Sequence, residues 1–148
     1  MGTRALIVVQ DYDGTEIAVI YRQYDGYTTG LGDNLAGFFK DFSIVNGYSG
    51  KYDPEANGMG CLAAQLVAHL KEGAGGVYLY PSGTRDCGEQ YTYFITCDNP
   101  DESPEDHAPV KMRCNSGYYG QMFDGLAKDF DGAAVEEAAC PIEEDEDE

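Results

Sequence analysis

Two β-rich runs near the start of the chain, residues 5–10 (ALIVVQ) and 16–23 (EIAVIYRQ), are separated only by a short stretch holding Asp13-Gly14. β-Branched runs joined through Asp-Gly allow a tight reversal and little else, so they predict an antiparallel hairpin. The next constraint is helical. Met59, Leu62, Ala63, Leu66, Val67 and Leu70 recur at i, i+3, i+4 and i+7, the stripe of a helix with one buried face, and Gly73 stops it. Asn57 is placed to cap that helix.

Around these two anchors the remaining elements are weaker. Asp33 is placed to cap a short helix carrying Leu35, Phe38, Phe39 and Phe42. Residues 46–57 read as a loop. Beyond Gly75-Gly76, residues 77–81, 91–97 and 110–114 are short, aromatic and β-branched, with turn-rich segments between them. Residues 118–130 read as a helix interrupted by Gly120 and Gly125, with Met122, Phe123, Leu126 and Phe130 on one face. The predicted order is β-β-α-α-β-β-β-α: an α+β fold in which two to three helices pack on a largely antiparallel sheet of about five short strands. A chain of 148 residues has room for one core, so a single domain over 1–132 and an acidic tail over 133–148 are expected.

The formal net charge is −18, from 27 acids against 9 bases. Five acids lie between residues 98 and 106 and eight between 136 and 148, with no lysine or arginine in either stretch. The remaining 14 acids against 9 bases are ordinary for a small domain, so the acidity belongs to one loop and one tail. Such a chain is not expected to bind nucleic acid directly, because phosphate contacts need clustered cations, nor to settle on an anionic membrane. No apolar run approaches the roughly 18 residues of a membrane span. The chain enters a strand-like run at once, without the apolar stretch of a signal peptide, so a soluble cytoplasmic protein is expected. Asp101, Glu102, Glu105 and Asp106 are the candidate contacts to a basic partner; the alternative is a solvated loop.

Familiar catalytic machinery is missing from the motifs. The five cysteines form no C-x-x-C pair, and pairing residues 91–97 with 110–114 as a hairpin puts Cys97 near Val110 and Cys114 near Tyr93, too far apart for a disulfide. Free thiols are therefore expected. Cys61 and His69 sit about 12 Å apart along one helix, which rules them out as a dyad. His107 marks the approach to a strand. No H-E-x-x-H, G-x-S-x-G, phosphate loop or G-x-G-x-x-G occurs. Asp11-x-Asp13-Gly14-x-Glu16 begins like a calcium loop but runs into strand at once, so it reads as a turn. No cofactor or metal is implied.

One segment is chemically dense. Residues 21–30 (YRQYDGYTTG) place a guanidinium, a carboxylate, an amide and three phenols between a strand and a helix. Arg22, Tyr24, Asp25 and Tyr27 are the candidate residues for binding an anionic or planar ligand; packing at the rim of a sheet is the alternative use. Tyr78, Tyr80, Tyr91 and Tyr93 alternate along strands, which predicts a row of phenols on one sheet face.

Met1-Gly2-Thr3-Arg4, the Tyr21–Tyr27 segment, Ser43-Ile44-Val45-Asn46-Gly47 and the run from Asn57 through Gly60-Cys61 to Gln65 together resemble a family of small uncharacterised proteins of phage and bacterial genomes. The resemblance spans roughly residues 1–96 and implies no established activity. That family has proline after Asp-Gly-Tyr and histidine soon after, where this chain has Thr28 and Leu31. Small size, the absence of catalytic motifs, the acidic loop and tail and the tyrosine-rich surface, with the phage-like resemblance as a further support, lead us to expect a non-enzymatic phage-type accessory protein that works by binding, as an inhibitor of a host protein or defence system. The partner expected is a host protein with a basic surface or an anionic small molecule, acted on by occlusion or by sequestration. Two other classes stay open: a small hydrolase or transferase acting on a nucleotide through Arg22, Asp25 and a tyrosine, and a protein that assembles with itself through exposed strand edges.

Overall fold

The computed structural model describes residues 2–47 and 50–139. Strands β1 (Ala5–Gln10) and β2 (Glu16–Arg22) form the hairpin, with Ile7 opposite Ile20. Gly14 closes the turn at φ 92°, its N–H donating to Asp11 O at 2.9 Å. A five-residue π-helical turn (Thr28–Gly32) leads into α1 (Asp33–Phe39). Short strands β3 (Ser43–Val45) and β4 (Glu55–Asn57) pair in parallel ahead of α2 (Gly58–Leu70). Strands β5 (Val77–Tyr80), β6 (Tyr91–Thr96), β7 (Lys111–Ser116) and β8 (Gly120–Leu126) and the helix α3 (Gly132–Ala138) complete the chain.

The main sheet has six strands in the order β5-β2-β1-β6-β7-β8. Every neighbouring pair is antiparallel except β1 and β6, which run in parallel with Ile7 opposite Tyr93. The fold is thus α+β and largely antiparallel, with one strand more in the main sheet than expected. The sequence of β1 explains its central place. Ala5 through Val9 are all fully buried, and an unbroken apolar run suits a strand covered on both faces, whereas β7 alternates half-buried and buried residues.

The helices share one face of the sheet. Ile7, Val9 and Ile20 meet Leu35 and Phe39 of α1 and Leu62 and Leu66 of α2 there. On the other face Leu6, Val8 and Val19 are covered by Tyr21, Tyr80, Cys87 and Phe94. Tyr21 and Tyr80 stack at 5.4 Å, the Arg113 guanidinium lies 4.1 Å above Phe94, and Arg85, paired with Glu16, flanks the same ring at 5.8 Å. The predicted single row of phenols is therefore divided. Tyr78 and Tyr80 lie on this second face with Tyr21, while Tyr91 and Tyr93 pack toward the helices.

Residues 118–130 are not a helix but β8 followed by a single 3-10 turn, Ala127–Asp129. Gly120, at φ 75°, closes a hairpin with β7. Phe123 sits opposite Cys114 and Gln121 opposite Asn115, so Met122 is the extra residue of a bulge. That bulge brings two adjacent residues, Met122 and Phe123, onto the core and breaks the alternation of an ordinary strand. The expected domain boundary at residue 132 falls at the first residue of α3. This helix is capped by Asp131, which accepts from the N–H groups of Ala133 and Ala134, and it is tied down by a hydrogen bond from the Thr28 hydroxyl to Glu136. The rest of the expected tail, residues 140–148, lies outside the described residues.

Neither expected cap works as drawn. Asp33 accepts the Gly132 N–H at 2.7 Å, and Asn57 accepts the Gly47 N–H at 2.8 Å. The predicted β6–β7 register holds, with Tyr93 opposite Cys114. Cys61, Cys87, Cys97 and Cys114 are free; Cys140 is outside the described residues. Among the described residues, no helix is long and apolar enough to cross a membrane.

Candidate functional site

The Tyr21–Tyr27 segment is first of all a corner. Asp25 adopts a left-handed conformation at φ 59°, where a short polar residue is tolerated. Buried Gly26 donates to Thr3 O at 2.9 Å and accepts the hydroxyl of buried Tyr93 at 2.7 Å. A Cβ on Gly26 would come 2.7 Å from that of Ala5, so only glycine lets the two segments approach. The four candidate side chains do not converge on one point. Arg22 folds back, its Nε donating to Tyr24 O at 2.9 Å and its guanidinium 5.0 Å from the Tyr24 ring centre. The Tyr27 hydroxyl reaches Asp25 Oδ1 at 3.4 Å. Tyr24 and Asp25 line a shallow cleft of about 660 Å³ together with Gly2, Arg4 and Gln23. Arg4, not singled out as a site residue from the sequence, supplies that cleft with its cation. The hairpin register contained the signal: Ala5 faces Arg22, so the next position outward sets Arg4 beside Gln23.

The parallel β1–β6 pair brings the carboxyl ends of both strands to the opposite end of the sheet, where open α/β sheets commonly hold ligands. Thr96 Oγ1 donates to Asp11 O at 3.1 Å and ties the two exits together. Here a cleft of about 560 Å³ is lined by Tyr12, Asp98, Asn99, Glu102 and His107. A second, of about 300 Å³, shares Tyr12 and Asn99 and reaches Asp11, Asn46, Cys97 and the start of α2 at Gly58 and Gly60.

Of the candidate acids only Glu102 lines this cleft, while Asp101, Glu105 and Asp106 stand on the same loop outside it, and that loop is held rather than free. Asn99 caps a 3-10 turn (Pro100–Glu102) by accepting the Asp101 N–H at 3.0 Å. Asn46 donates to Asp101 at 2.7 Å, Lys111 pairs with Asp98 at 3.2 Å, and the Tyr52 hydroxyl donates to Glu105 O at 3.3 Å. His107 packs on Tyr52 at 4.4 Å and meets Glu105 through Nε2 at 3.2 Å, while its Nδ1 is buried without a partner. Backbone bonds between Ile44 and Ala108, at 2.8 and 2.9 Å, anchor the base of the loop.

This arrangement offers carboxylates to a cation more readily than it offers a nucleophile to a substrate. Burial, reinforced by Asp11 and Asp98, pushes the Cys97 thiol up to about 12, so it stays protonated and unreactive at neutral pH. The other thiol and histidine pair is no closer to catalysis. Cys61 donates to Gln65 at 3.3 Å, whereas His69 stacks on Phe38 at 4.1 Å and holds Asn34 at 2.7 Å, with burial lowering its pKa. Among the described residues, no three His, Cys, Asp or Glu side chains are grouped to hold a metal ion. Compared with protein-family models, with curated proteins and with solved structures, the chain matches none.

Proposed function

We propose that this chain works by binding, its acidic loop engaging a basic surface of a protein partner. The observation that supports this reading is the held conformation of residues 98–107. Four side-chain contacts fix the loop around a cleft, and Glu102 and Asp106 take part in no ion pair among the described residues. A loop whose backbone is ordered before binding loses little freedom on association, and a patch of one sign speeds encounter with the opposite sign. The resemblance to phage-type proteins extends the proposal. In that form the partner is a host protein or a component of a defence system, and binding acts by occluding its basic surface.

Affinity purification from the native host tests the reading, with the wild type set against a Glu102→Gln/Asp106→Asn variant. Asparagine tolerates the left-handed backbone at position 106, where φ is 61°, so the variant should fold. A basic protein should be captured at low salt, released as salt rises, and held more weakly by the variant. Capture indifferent to both salt and substitution would reject the proposal.

A second form, sequestration of an anionic small molecule, is favoured by one observation. Arg4 lines the cleft with Tyr24 and Asp25 and makes no ion pair among the described residues. Mass spectrometry of purified protein should then find a retained anion that is lost in Arg4→Ala. Turnover of a nucleotide by purified protein would favour the hydrolase or transferase instead.

A further inference from the structure

At the amino end of β6, remote from the acidic loop, the β7–β8 hairpin reverses through residues 117–119. Ser116 Oγ accepts the N–H groups of Tyr118 and Tyr119 at 3.0 and 3.2 Å, and Gly117 donates to Gln90 O at 3.2 Å. The turn is thereby fixed and presents two phenol rings edge to face, 4.8 Å apart. These rings, half-buried Tyr91 and the carboxylates of Glu89 and Glu136 line a cavity of about 440 Å³. Among the described residues, no lysine, arginine or histidine lines it.

The two carboxylates differ in what remains to them. Glu89 spends both oxygens on the backbone, accepting Asp86 N–H at 3.1 Å and Cys87 N–H at 2.6 Å. Glu136 accepts the Thr28 hydroxyl through one oxygen and forms no ion pair among the described residues. A half-buried carboxylate is usually matched by a cation, and the negative faces of phenol rings attract one. Burial first, and then the Glu136 charge, raise the pKa of the Tyr91 hydroxyl, so the field of that carboxylate reaches the ring. A calcium or magnesium ion would want six or more oxygen ligands, which three phenols and one available carboxylate do not supply, and a zinc ion would want the histidines or thiolates that the lining lacks among the described residues.

We propose that this cavity binds an organic cation, with an alkylammonium head held against the rings of Tyr91, Tyr118 and Tyr119 beside the carboxylate of Glu136. The head belongs either to a free alkylammonium compound or to a methylated lysine side chain on another protein. The proposal does not depend on the acidic loop, which lies at the other end of the sheet.

Choline and its uncharged isostere 3,3-dimethylbutan-1-ol test it, titrated into the full chain and followed by tyrosine ring NMR and calorimetry. Choline should bind at least tenfold more tightly than the alcohol. Glu136→Gln, which can still accept the Thr28 hydroxyl, should weaken choline tenfold or more, and Tyr118→Leu should weaken it severalfold without changing Tm. A neutral peptide bearing one trimethyllysine separates the sources: tighter binding of the peptide assigns the site to a protein side chain, tighter binding of choline to a free alkylammonium compound. Equal affinity for choline and the alcohol overturns the proposal. So does the failure of choline and the peptide alike to bind at millimolar concentration, or wild-type affinity in folded Glu136→Gln. Should Glu136→Gln not fold, the isostere and Tyr118→Leu decide.

Discussion

Tyr93→Phe isolates the one side-chain hydrogen bond from buried Tyr93 to the dense Tyr21–Tyr27 corner. The ring stays, so no cavity opens, and what disappears is one hydroxyl that donates to Gly26 O at 2.7 Å in a fully buried setting. The net value of such a bond is about 1 kcal/mol, and a stranded buried acceptor raises the cost to roughly 1–3 kcal/mol. Gly26 O has little chance to turn toward water, because the same residue is fixed by its N–H to Thr3 O and by the close approach of Ala5. We expect a loss of about 2 kcal/mol, which for a domain near 150 residues is a fall in Tm of roughly 4–8 °C. Tyr91→Phe is the internal control. It lies on the same strand and face, 6.3 Å from Tyr93 between ring centres, and its hydroxyl has no hydrogen-bond partner among the described residues. That control should cost less than about 0.5 kcal/mol. Urea titration followed by circular dichroism, at equal m-values, measures both. A loss under about 0.5 kcal/mol for Tyr93→Phe, or equal losses for the two variants, would refute the reasoning.

Other perturbations probe the core, the ionisable groups and the sheet edge. Leu66→Ala removes a fully buried side chain from the centre of the α2 stripe and should cost about 2–5 kcal/mol in the same titration; a change within about 0.5 kcal/mol would show that the residue is not packed as described. Burial pushes the Cys97 and Cys114 thiols up to about 12 from an ordinary 9.0, so the unfolded chain loses these protons first; stability held below pH 9 should fall at higher pH by up to about 1.4 kcal/mol per pH unit for each thiol. A flat urea midpoint between pH 9 and 11 would contradict this. Lys71 Nζ donates to Gly75 O at 3.0 Å and Val77 O at 2.7 Å beside the outer strand β5, where Tyr78 and Leu79 are exposed. Lys71→Ala should increase self-association with concentration in sedimentation, and a profile identical to the wild type would discount that lysine as an edge guard.

What the sequence made legible is what repeats over several residues. ALIVVQ and EIAVIYRQ were long enough to define a hairpin, and the α2 stripe continued for more than three turns, so β1, β2 and α2 stand almost where their periodicity put them. Strands β3 and β4 are three residues each and carry no period at all. The segment after Tyr118 misled because the bulge at Met122 sets two neighbouring apolar residues on one side, a spacing that copies a helix. At the sites the obstacle was distance along the chain. Arg22, Tyr24, Asp25 and Tyr27 were visible as a chemically dense run, but the partners that decide their roles are Gly2, Arg4, Gly76 and Tyr93. Glu136 passed for part of an acidic run because nothing local announces its contact with Thr28.

The one parallel junction of the main sheet also decides how the two proposed surfaces relate. Since β1 and β6 run together, Ala5 and Tyr91 mark one end of the sheet, and Gln10 and Thr96 mark the other. The β2 return brings Arg22 and the corner back beside Ala5, and Thr28 of that corner holds Glu136 at the tyrosine cavity. Arg4, Arg22, Tyr24, Tyr91 and Glu136 therefore belong to one end, while the acidic loop belongs to the other. Five strand residues of about 3.3 Å each separate them, and that distance exceeds the screening length of about 8 Å at physiological salt. An organic cation in the tyrosine cavity and a basic protein on the loop should consequently bind without competing. Choline at saturation should leave salt-dependent capture of the partner unchanged, whereas loss of capture would mean that the partner's own cations occupy the tyrosine cavity.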